Sequence, residues 1–379
     1  MHILLTLISL LFISQISSVA AAPAMIPSPP KVNASAYYLM DFHSGHVIAE
    51  HNAHDRVEPA SLTKMMSAYI VEQEIREDRL KLTDQVRISE KAWRMEGSRM
   101  FVEVGKFVTV EELLKGIIIQ SGNDATVALA EHVAGSESAF VEMMNGHAQR
   151  LGMSATHFAN STGMPDPDHY TTAHDMAILG QALIRDGQDF YPWYAEKSFK
   201  YNGISQYNRN KLLWRNNYVD GIKTGHTEAA GYCLVASGEQ DGTRLISAVL
   251  GTKSENARSD ESQKLLTYGF RFFETHKLYA ANESLQQVRI WKGDSEQLSV
   301  GLTEDLYVTI PRGQYDNLKA SMQLDGKIMA PQAQGDQVGT VVVKLQDDIV
   351  VERPLLALQA VEEGGLIQGL MDQVKLMFE

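Results

Sequence analysis

The order in which strand and helix patterns follow one another most constrains the fold of this chain. Two short β-rich runs, AYYLMDF (36–42) and HVIAEHN (46–52), are separated by HSG and predict a hairpin. Strand patterns return much later in YVDGIKTG, GYCLVASGEQ and TRLISAVLG, where EQDG predicts a hairpin turn. Strands at both ends with helices between them predict one α+β domain, which we assign to residues 33–284.

Helical patterns fill the middle of this domain. Apolar residues recur at helical spacing in LTKMMSAYIVEQEI, VEELLKGIIIQ, NDATVALAEHVA, AFVEMMNGHAQRLG and HDMAILGQALIRDG. Pro59, just ahead of the first run, favours a helix start. ESQKLLTYGFRFFETHKL (261–278) predicts a final helix after the last strands.

The pattern changes after about residue 284 to short alternating runs broken by turn residues. These runs are VRIWKG, LSVGL, LYVTI, LKASMQL and VGTVVVKL. Alternation with a period of two predicts strands, so we expect a small all-β domain over residues 285–360.

The tail, GGLIQGLMDQVKLMFE, predicts a separate amphipathic helix over residues 364–379. A helix of about 14 residues is roughly 20 Å long, too short to span a bilayer. It could lie on a membrane surface, or dock on its own domain or on a partner. Lys375 is its only base, so we expect weak peripheral binding with little attraction to anionic lipid. The apolar face contains Leu366, Ile367, Leu370, Met371, Val374, Met377 and Phe378.

The first 24 residues, MHILLTLISLLFISQISSVAAAPA, join an apolar run to small residues of the A-x-A kind. This pattern predicts a secretory signal, with a transmembrane span as the alternative. A single cysteine, Cys233, allows no internal disulfide, and in an exported chain it suits a bacterial periplasm. The net charge of −13 argues against a nucleic-acid partner, because phosphate binding needs clustered Lys and Arg.

Three short motifs carry the chemistry: S-L-T-K (61–64), S-G-N (121–123) and K-T-G (223–225). Residues three apart on a helix share a face, so Lys64 Nζ can reach Ser61 Oγ. A serine hydroxyl needs a base, and Lys64 can serve only when neutral. Moving its pKa from about 10.4 to about 7.5 takes roughly 4 kcal/mol. We expect burial and the charge of Lys223 to supply this shift.

The other motif residues suggest the remaining roles in acyl transfer. We expect Ser121 to bridge the two lysines and relay a proton to the leaving amine. Asn123 can hold Lys64 and a substrate amide carbonyl. The backbone N–H groups of Ser61 and His226 can form an oxyanion hole, and the His226 imidazole could instead help to activate water. This chemistry needs no metal and no cofactor.

The remaining histidines and polar residues predict structural roles. His43, His46, His51 and His54 form two H-x-x-H pairs, a spacing that could hold zinc. They flank a surface turn without an acidic ligand set, so we expect ordinary exposed histidines and no metal. Structural roles are also favoured for three residues near a loop at the edge of the site, namely Tyr170, His174 and Asp175.

Most of the mature chain resembles the low-molecular-mass penicillin-binding proteins that act as D-alanyl-D-alanine carboxypeptidases. The resemblance implies a penicillin-binding/β-lactamase-like catalytic domain with an antiparallel sheet flanked by helices, followed by the β domain and the helix. It assigns the nucleophile to Ser61 and the base to Lys64, and its other motif residues to Ser121, Asn123, Lys223, Thr224 and Gly225. It extends through ASLTKMMSAY, IIIQSGNDATVALAEHVAGS, HFANSTGMPD, HDMAILGQALIRDG, VDGIKTGHT, LLTYGFRFFET and the KLMFE tail.

The resemblance also implies an arginine that recognises the terminal carboxylate of the substrate. Its position in TKSENARSDESQKLL assigns it to Arg258, with Arg244 as the rival.

The implied function is a periplasmic serine carboxypeptidase at the inner membrane. It removes the terminal D-alanine of peptidoglycan pentapeptides through an acyl-serine intermediate, and β-lactams occupy the same site. The alternatives are a β-lactamase or endopeptidase of the same fold, or a non-catalytic wall-binding scaffold. S-G-N in place of S-D-N and the extra β domain argue against a class A lactamase, and the intact motifs argue against a scaffold.

Overall fold

The computed structural model describes residues 26–377, so the predicted signal sequence and Phe378 lie outside the described residues. The strands of the α+β region are β1 (Ala36–Asp41), β2 (Val47–His51), β3 (Gln85–Arg87), β4 (Phe107–Thr109), β5 (Ser198–Tyr201), β6 (Ile204–Tyr207), β7 (Val219–Thr227), β8 (Gly231–Gln240) and β9 (Thr243–Thr252). Five of them form an antiparallel sheet in the order β2-β1-β9-β8-β7. The predicted α+β fold is confirmed, and the strand that carries K-T-G lies at one edge of the sheet.

The helices of this region mostly begin where the sequence supplies a cap. Side-chain oxygens of Ser89, Thr109, Ser136, Thr172 and Ser254 each accept a backbone N–H from the first turn of a helix. The helices are α1 (Lys64–Arg76), α2 (Glu90–Trp93), α3 (Val110–Lys115), α4 (Asn123–Ala134), α5 (Glu137–Arg150), α6 (Ala173–Asp186), α7 (Leu212–Arg215) and α8 (Glu255–Phe272). A 3₁₀ turn, Ala60–Thr63, precedes α1, and a π-helical turn, Gly116–Gln120, follows α3.

Helices cover both faces of the main sheet. Cys233 and Val235 on β8 pack into the core that contains α1, α4 and α6, whereas Leu234 and Ala236 pack into the core beneath α8. Successive side chains of a strand point to opposite faces. Because both faces are buried, the strand sequence is an almost continuous run of apolar and small residues rather than an alternating one.

The predicted final helix is wrong at both ends. Ser254 caps α8, so the helix begins earlier than predicted, and it ends at Phe272. The segment Phe273–Tyr279 is strand β10, in which Phe273 and Thr275 are buried and the residues beside them are more exposed. This period of two is typical of a strand.

The C-terminal region is all-β, as predicted. Its other strands are β11 (Ser284–Trp291), β12 (Gln297–Gly301), β13 (Leu306–Pro311), β14 (Leu318–Leu324), β15 (Ile328–Met329), β16 (Gln337–Leu345) and β17 (Asp348–Ala357). β10 pairs with β13, and a six-stranded sheet has the order β14-β16-β17-β12-β11-β15. Strand β17 was not predicted from the sequence. It contains Pro354, and proline is unusual inside a sheet.

The turn between β1 and β2 contacts the β region. Buried Asp41 accepts a 2.7 Å hydrogen bond from Thr275 Oγ1, and Ser44 Oγ lies 2.6 Å from Thr309 Oγ1. His43 stacks on Tyr307 with ring centroids 4.4 Å apart and is only half-exposed, so the expectation that it is an ordinary exposed histidine is wrong.

The last helix of the described part is α9 (Leu366–Leu376). Its Asp372 is buried against the β region, whereas Leu366 is 95% exposed and Leu370 69% exposed. Within residues 26–377, no helix is both long and apolar enough to cross a bilayer.

Candidate active site

The turn at the start of α1 brings the first two motif residues together. Ser61 lies in the 3₁₀ turn and Lys64 is the first residue of α1. Lys64 Nζ donates to Ser61 Oγ at 3.0 Å and to the carbonyl oxygen of Thr162 at 2.6 Å. Lys64 is buried, so its amine faces the serine and a carbonyl rather than water.

Burial and, to a smaller extent, the nearby guanidinium of Arg209 lower the pKa of Lys64 to about 7, against the opposing charge of Asp124. The pKa of Lys223 is also well below its usual value, first because of burial and then because of the charges on Lys64, Arg209 and Arg258. Near neutral pH a large part of Lys64 is therefore neutral and can accept a proton. The contribution of Arg209 was not predicted from the sequence.

The S-G-N motif forms the bend between the π-helical turn and α4. Ser121 has φ 67° and ψ 35°, the left-handed conformation, and its buried Oγ makes no hydrogen bond with any described residue. Asn123 Nδ2 donates to the carbonyl oxygen of Glu96 at 2.6 Å. The predicted hydrogen bonds from these two side chains to the lysines are therefore not present. The donors of Lys64 are instead directed at Ser61 and Thr162, and the Asn123 amide is held by the rim of the site.

Asp124 fixes that rim. Its carboxylate accepts backbone N–H groups of Met100, Phe101 and Val102 at 2.9, 2.8 and 3.2 Å. Phe101 has φ 70°, a strained value for a residue with a side chain, so these bonds hold an unfavourable backbone conformation. This role of Asp124 was not predicted from the sequence, because no short motif links it to a loop more than twenty residues away.

The K-T-G motif packs tightly against the start of α1. A Cβ on Gly225 would lie 3.0 Å from the carbonyl oxygen of Pro59 and 3.3 Å from the backbone nitrogen of Leu62, so this position suits glycine. Lys223 and Thr224 are buried beside it, and Lys223 Nζ donates to the carbonyl oxygen of Thr224 at 3.1 Å. The close packing of Gly225 against Pro59 and Leu62 joins the edge strand β7 to the serine turn.

The imidazole of His226 contacts strand β8. It stacks on Tyr232 with ring centroids 3.8 Å apart, and its Nδ1 lies 3.0 Å from the carbonyl oxygen of Gly231. No hydrogen bond joins it to the described residues of the three motifs. This arrangement favours the backbone N–H of His226 over its side chain as the functional group.

Arg258, rather than Arg244, contacts the K-T-G motif itself, whereas Arg244 reaches the same strand only at Asp220. Buried Arg258 donates to the carbonyl oxygens of Gly225 and Arg209, each at 3.4 Å, and its Nε has no partner among the described residues. Arg244 is instead paired with Asp220 at 2.7 Å. Arg209 itself donates to Ser98 Oγ at 2.7 Å, at the rim of the site.

The residues expected to be structural near the edge of the site make local contacts. Asp175 accepts hydrogen bonds from Thr156 Oγ1 and the Ala155 N–H, and it lies beside His174. The guanidinium of Arg56 lies 4.2 Å from the centre of the Tyr170 ring.

Comparison with protein families identifies the chain. A family model described as D-alanyl-D-alanine carboxypeptidase matches residues 23–254. The chain belongs to this family. A second family model, described as the C-terminal domain of penicillin-binding protein 5, matches residues 273–363, the part that contains β10 to β17.

Individual relatives agree with this membership. The carboxypeptidase DacA of Escherichia coli K12 is 46% identical over 362 residues, which cover 93% of this chain and 90% of that protein. The crystal structure of penicillin-binding protein 5 from Haemophilus influenzae is similar with a TM-score of 0.86 and 42% identity. That match covers 89% of this chain and 100% of the other.

A third relative was solved with a β-lactam. Penicillin-binding protein D2 of Listeria monocytogenes, in its ampicillin-bound form, is similar with a TM-score of 0.59 and 27% identity. The match covers 64% of this chain and 100% of that chain.

Proposed function

We propose that Ser61 is the nucleophile of this serine carboxypeptidase and Lys64 its general base. The observation that carries this assignment is the 3.0 Å contact between Lys64 Nζ and Ser61 Oγ, combined with a pKa of about 7 for Lys64. A neutral amine at this distance can take the serine proton as the hydroxyl attacks a carbonyl carbon.

The chain is a serine-type D-alanyl-D-alanine carboxypeptidase that acts on peptidoglycan. In the proposed mechanism, Ser61 Oγ attacks the carbonyl carbon of the scissile D-Ala-D-Ala bond and Lys64 accepts its proton. The backbone N–H groups of Ser61 and His226 stabilise the oxyanion. Collapse of the tetrahedral species releases D-alanine and leaves an acyl-serine ester. Water then hydrolyses the ester, and Ser61 regains a proton.

Ser121 can relay to the leaving amine the proton that Lys64 took from Ser61. Its Oγ is buried and has no partner among the described residues, so it is available to a substrate amine. Asn123 presents its side-chain amide near the same rim, where its carbonyl end can contact the substrate backbone. These roles follow from position, since neither side chain is bound to a lysine.

The cationic groups of the site suit a substrate with a free carboxylate. Arg209 and Arg258 form no ion pair with any carboxylate of residues 26–377, although the chain as a whole carries a charge of −13. We assign the terminal carboxylate of the substrate to Arg258, together with Lys223 and Thr224. Unpaired cations gathered in a cleft attract an anion.

A β-lactam presents a strained amide in place of the scissile bond, so Ser61 should form the same ester with it. A carboxypeptidase hydrolyses this ester slowly, whereas a β-lactamase hydrolyses it rapidly. Intact-protein mass spectrometry after treatment with benzylpenicillin tests the assignment. One adduct is expected, on the peptide that contains Ser61, and it should be absent in Ser61→Ala. An adduct on Ser121 would overturn the assignment. Release of free D-alanine from a pentapeptide tests the reaction itself.

We also propose that the protein acts in the periplasm at the surface of the inner membrane. The first 24 residues carry the signal pattern, and the catalytic domain of residues 33–284 and the β domain of residues 285–360 precede α9. α9 is bound to the β region through Asp372, which accepts the N–H of Lys292 at 2.8 Å and contacts Arg289. Its apolar side chains remain outward and exposed, which supports contact with lipid.

A further inference from the structure

The loop that joins α5 to α6 is bound to the start of α1 by several contacts. The carbonyl oxygen of Thr162 accepts from Lys64 Nζ, and that of Ser161 accepts from Ser67 Oγ, both at 2.6 Å. Gly163 has φ +85°, and a Cβ there would lie 1.8 Å from the carbonyl oxygen of Ala60. Residues 158–172, here named the covering loop, therefore pack directly on the turn that carries the nucleophile.

His169 provides a further contact from the covering loop. It is 3% exposed, and its Nε2 lies 2.9 Å from the hydroxyl oxygen of Thr63, which is itself buried between the nucleophile and the base. Its Nδ1 has no partner among the described residues. A neutral ring that donates from Nε2 leaves only an acceptor unpaired at Nδ1, which is less costly than an unpaired N–H.

The surroundings keep this ring neutral. Burial lowers the pKa of His169 to about 4, and the charges of His157 and Lys64 act in the same direction, against Asp166 in the covering loop. The ring can therefore donate the same hydrogen bond to Thr63 across the pH range in which the enzyme works.

We infer that His169 is a positioning residue, which through Thr63 holds the covering loop closed over Lys64 and so keeps that lysine buried and able to act as the base. The inference rests on the proposed function of Lys64. Thr63 is adjacent to Lys64 in the chain, and the loop carbonyl of Thr162 is a direct partner of the lysine amine. The hydrogen bond of His169 thus connects the covering loop, which contacts the amine of Lys64, to the turn that precedes Lys64.

The physical consequence follows from what sets the pKa of Lys64. Burial is the largest cause of its decrease, the charge of Arg209 before α7 adds to it, and Asp124 on α4 opposes it. Lys223 on β7 also faces this lysine. A covering loop that opens more often admits water, which stabilises the ammonium and raises the pKa of Lys64. Less of the lysine is then neutral at pH 7.

The test is the pH dependence of acylation by a penicillin in His169→Leu and Thr63→Val. Each variant removes the hydrogen bond at nearly constant volume. Because acylation needs neutral Lys64, the acid limb of the rate profile should move upward by about 0.5–1 pH unit, with a loss of about 2- to 5-fold at pH 7 that recovers at high pH. The double variant should lose little more than either single one. His169→Gln, whose amide can donate to Thr63, should behave like the wild type.

A matched control separates this role from general stability. Tyr194→Phe removes a buried 2.9 Å hydrogen bond to Glu72, farther along α1, and should lower Tm without moving the acid limb. The inference is wrong if the acid limb of the acylation rate does not move in either folded variant, or if the rate falls equally at every pH. Lys64 would still be the base in both cases. Near wild-type acylation in Lys64→Arg instead overturns the proposed base, a different result on the same assay.

Discussion

Lys64 shows how a single residue obtains its chemistry from its surroundings. Its amine is enclosed by protein, 3.0 Å from Ser61 Oγ, and its pKa is lowered to about 7. We expect Lys64→Arg to reduce acylation by at least about 10²-fold at pH 7, because a guanidinium cannot be deprotonated in a protein. Stopped-flow acylation with a chromogenic β-lactam measures this. Lys264→Arg, which alters an ion pair to Glu261 at the surface, is the control and should acylate normally.

Arg258 is the second residue with a separable role, recognition of the substrate carboxylate. Loss of a charge-assisted hydrogen bond costs about 1.5–3 kcal/mol, so Arg258→Ala should slow cleavage of a pentapeptide about 10- to 150-fold. A peptide amidated at that end should be affected much less. Arg244→Ala removes another arginine side chain, which is paired with Asp220, and should leave this preference unchanged. Equal losses on free and amidated peptides would show that Arg258 does not bind the carboxylate.

Part of this site could be predicted from residues alone. The spacing of Ser61 and Lys64 gave their contact, because residues three apart on a helix are neighbours whatever the rest of the fold does. Arg209 and Asp124 could not be found in this way, since each reaches the site from a segment distant in sequence. The same limit explains Asn123, whose expected contact with Lys64 is replaced by one with the rim at Glu96.

At the scale of elements, the sequence predicted the helices and strands that have a clear local periodicity. The first hairpin, strands β7 to β9 and helices α3, α5 and α6 were predicted, because each has a clear local period. The four-residue helix α2 and the start of α8 at Ser254 were not predicted. The end of α8 was not predicted either, since FRFFETHKL contains apolar residues compatible with either period and only pairing with β13 makes β10 a strand. Helix α1 also contains a buried carboxyl group, that of Glu72.

Glu72 on α1 should make stability depend on pH. Burial raises its pKa to about 8, and it accepts a hydrogen bond from Tyr194 OH. Between the unfolded pKa, near 4.3, and about 8 the folded state keeps a proton that the unfolded state has lost. This group's contribution is therefore fully present at low pH and falls as pH rises through that window, by up to a few kcal/mol.

Glu72→Gln keeps the acceptor for Tyr194 but cannot ionise. We expect the variant to lose less stability than the wild type between pH 5 and pH 8 in urea unfolding, and to be the more stable of the two at pH 8. Gln73→Glu, at the next position, places a carboxyl group on the same helix and serves as a comparison for charge alone. Parallel pH profiles for wild type and Glu72→Gln would contradict a buried, protonated Glu72.

At the scale of the whole molecule, charge is unevenly distributed. The chain carries −13, yet the guanidinium groups of Arg209 and Arg258 lie beside the two lysines of the site, whose pKa values are lowered. An acidic exterior with a cationic cleft suits a small anionic substrate better than an anionic polymer or an anionic membrane. The proposed attachment to a membrane would therefore depend on apolar contact, and α9 has several exposed apolar side chains, including Leu366, Ile367 and Leu370.

Burying part of the apolar face of α9 in lipid can contribute several kcal/mol at about 25 cal/mol per Å², offset by the cost of immobilising the helix. We expect modest flotation of the mature protein with lipid vesicles, little changed by salt, and none for a version that ends at Glu363. Leu370→Asp should reduce flotation, whereas Gln368→Asp adds the same charge off the apolar face and should not. Asp372→Asn weakens docking on the β region and should leave flotation intact, because the apolar face is already exposed.

If the intact chain floats no better than the truncated one, α9 is only a docked helix. Loss of flotation in moderate salt would mean that charge, not apolar burial, holds the protein at the surface. Cleavage of a soluble pentapeptide should persist in every variant, since α9 contains none of the site residues.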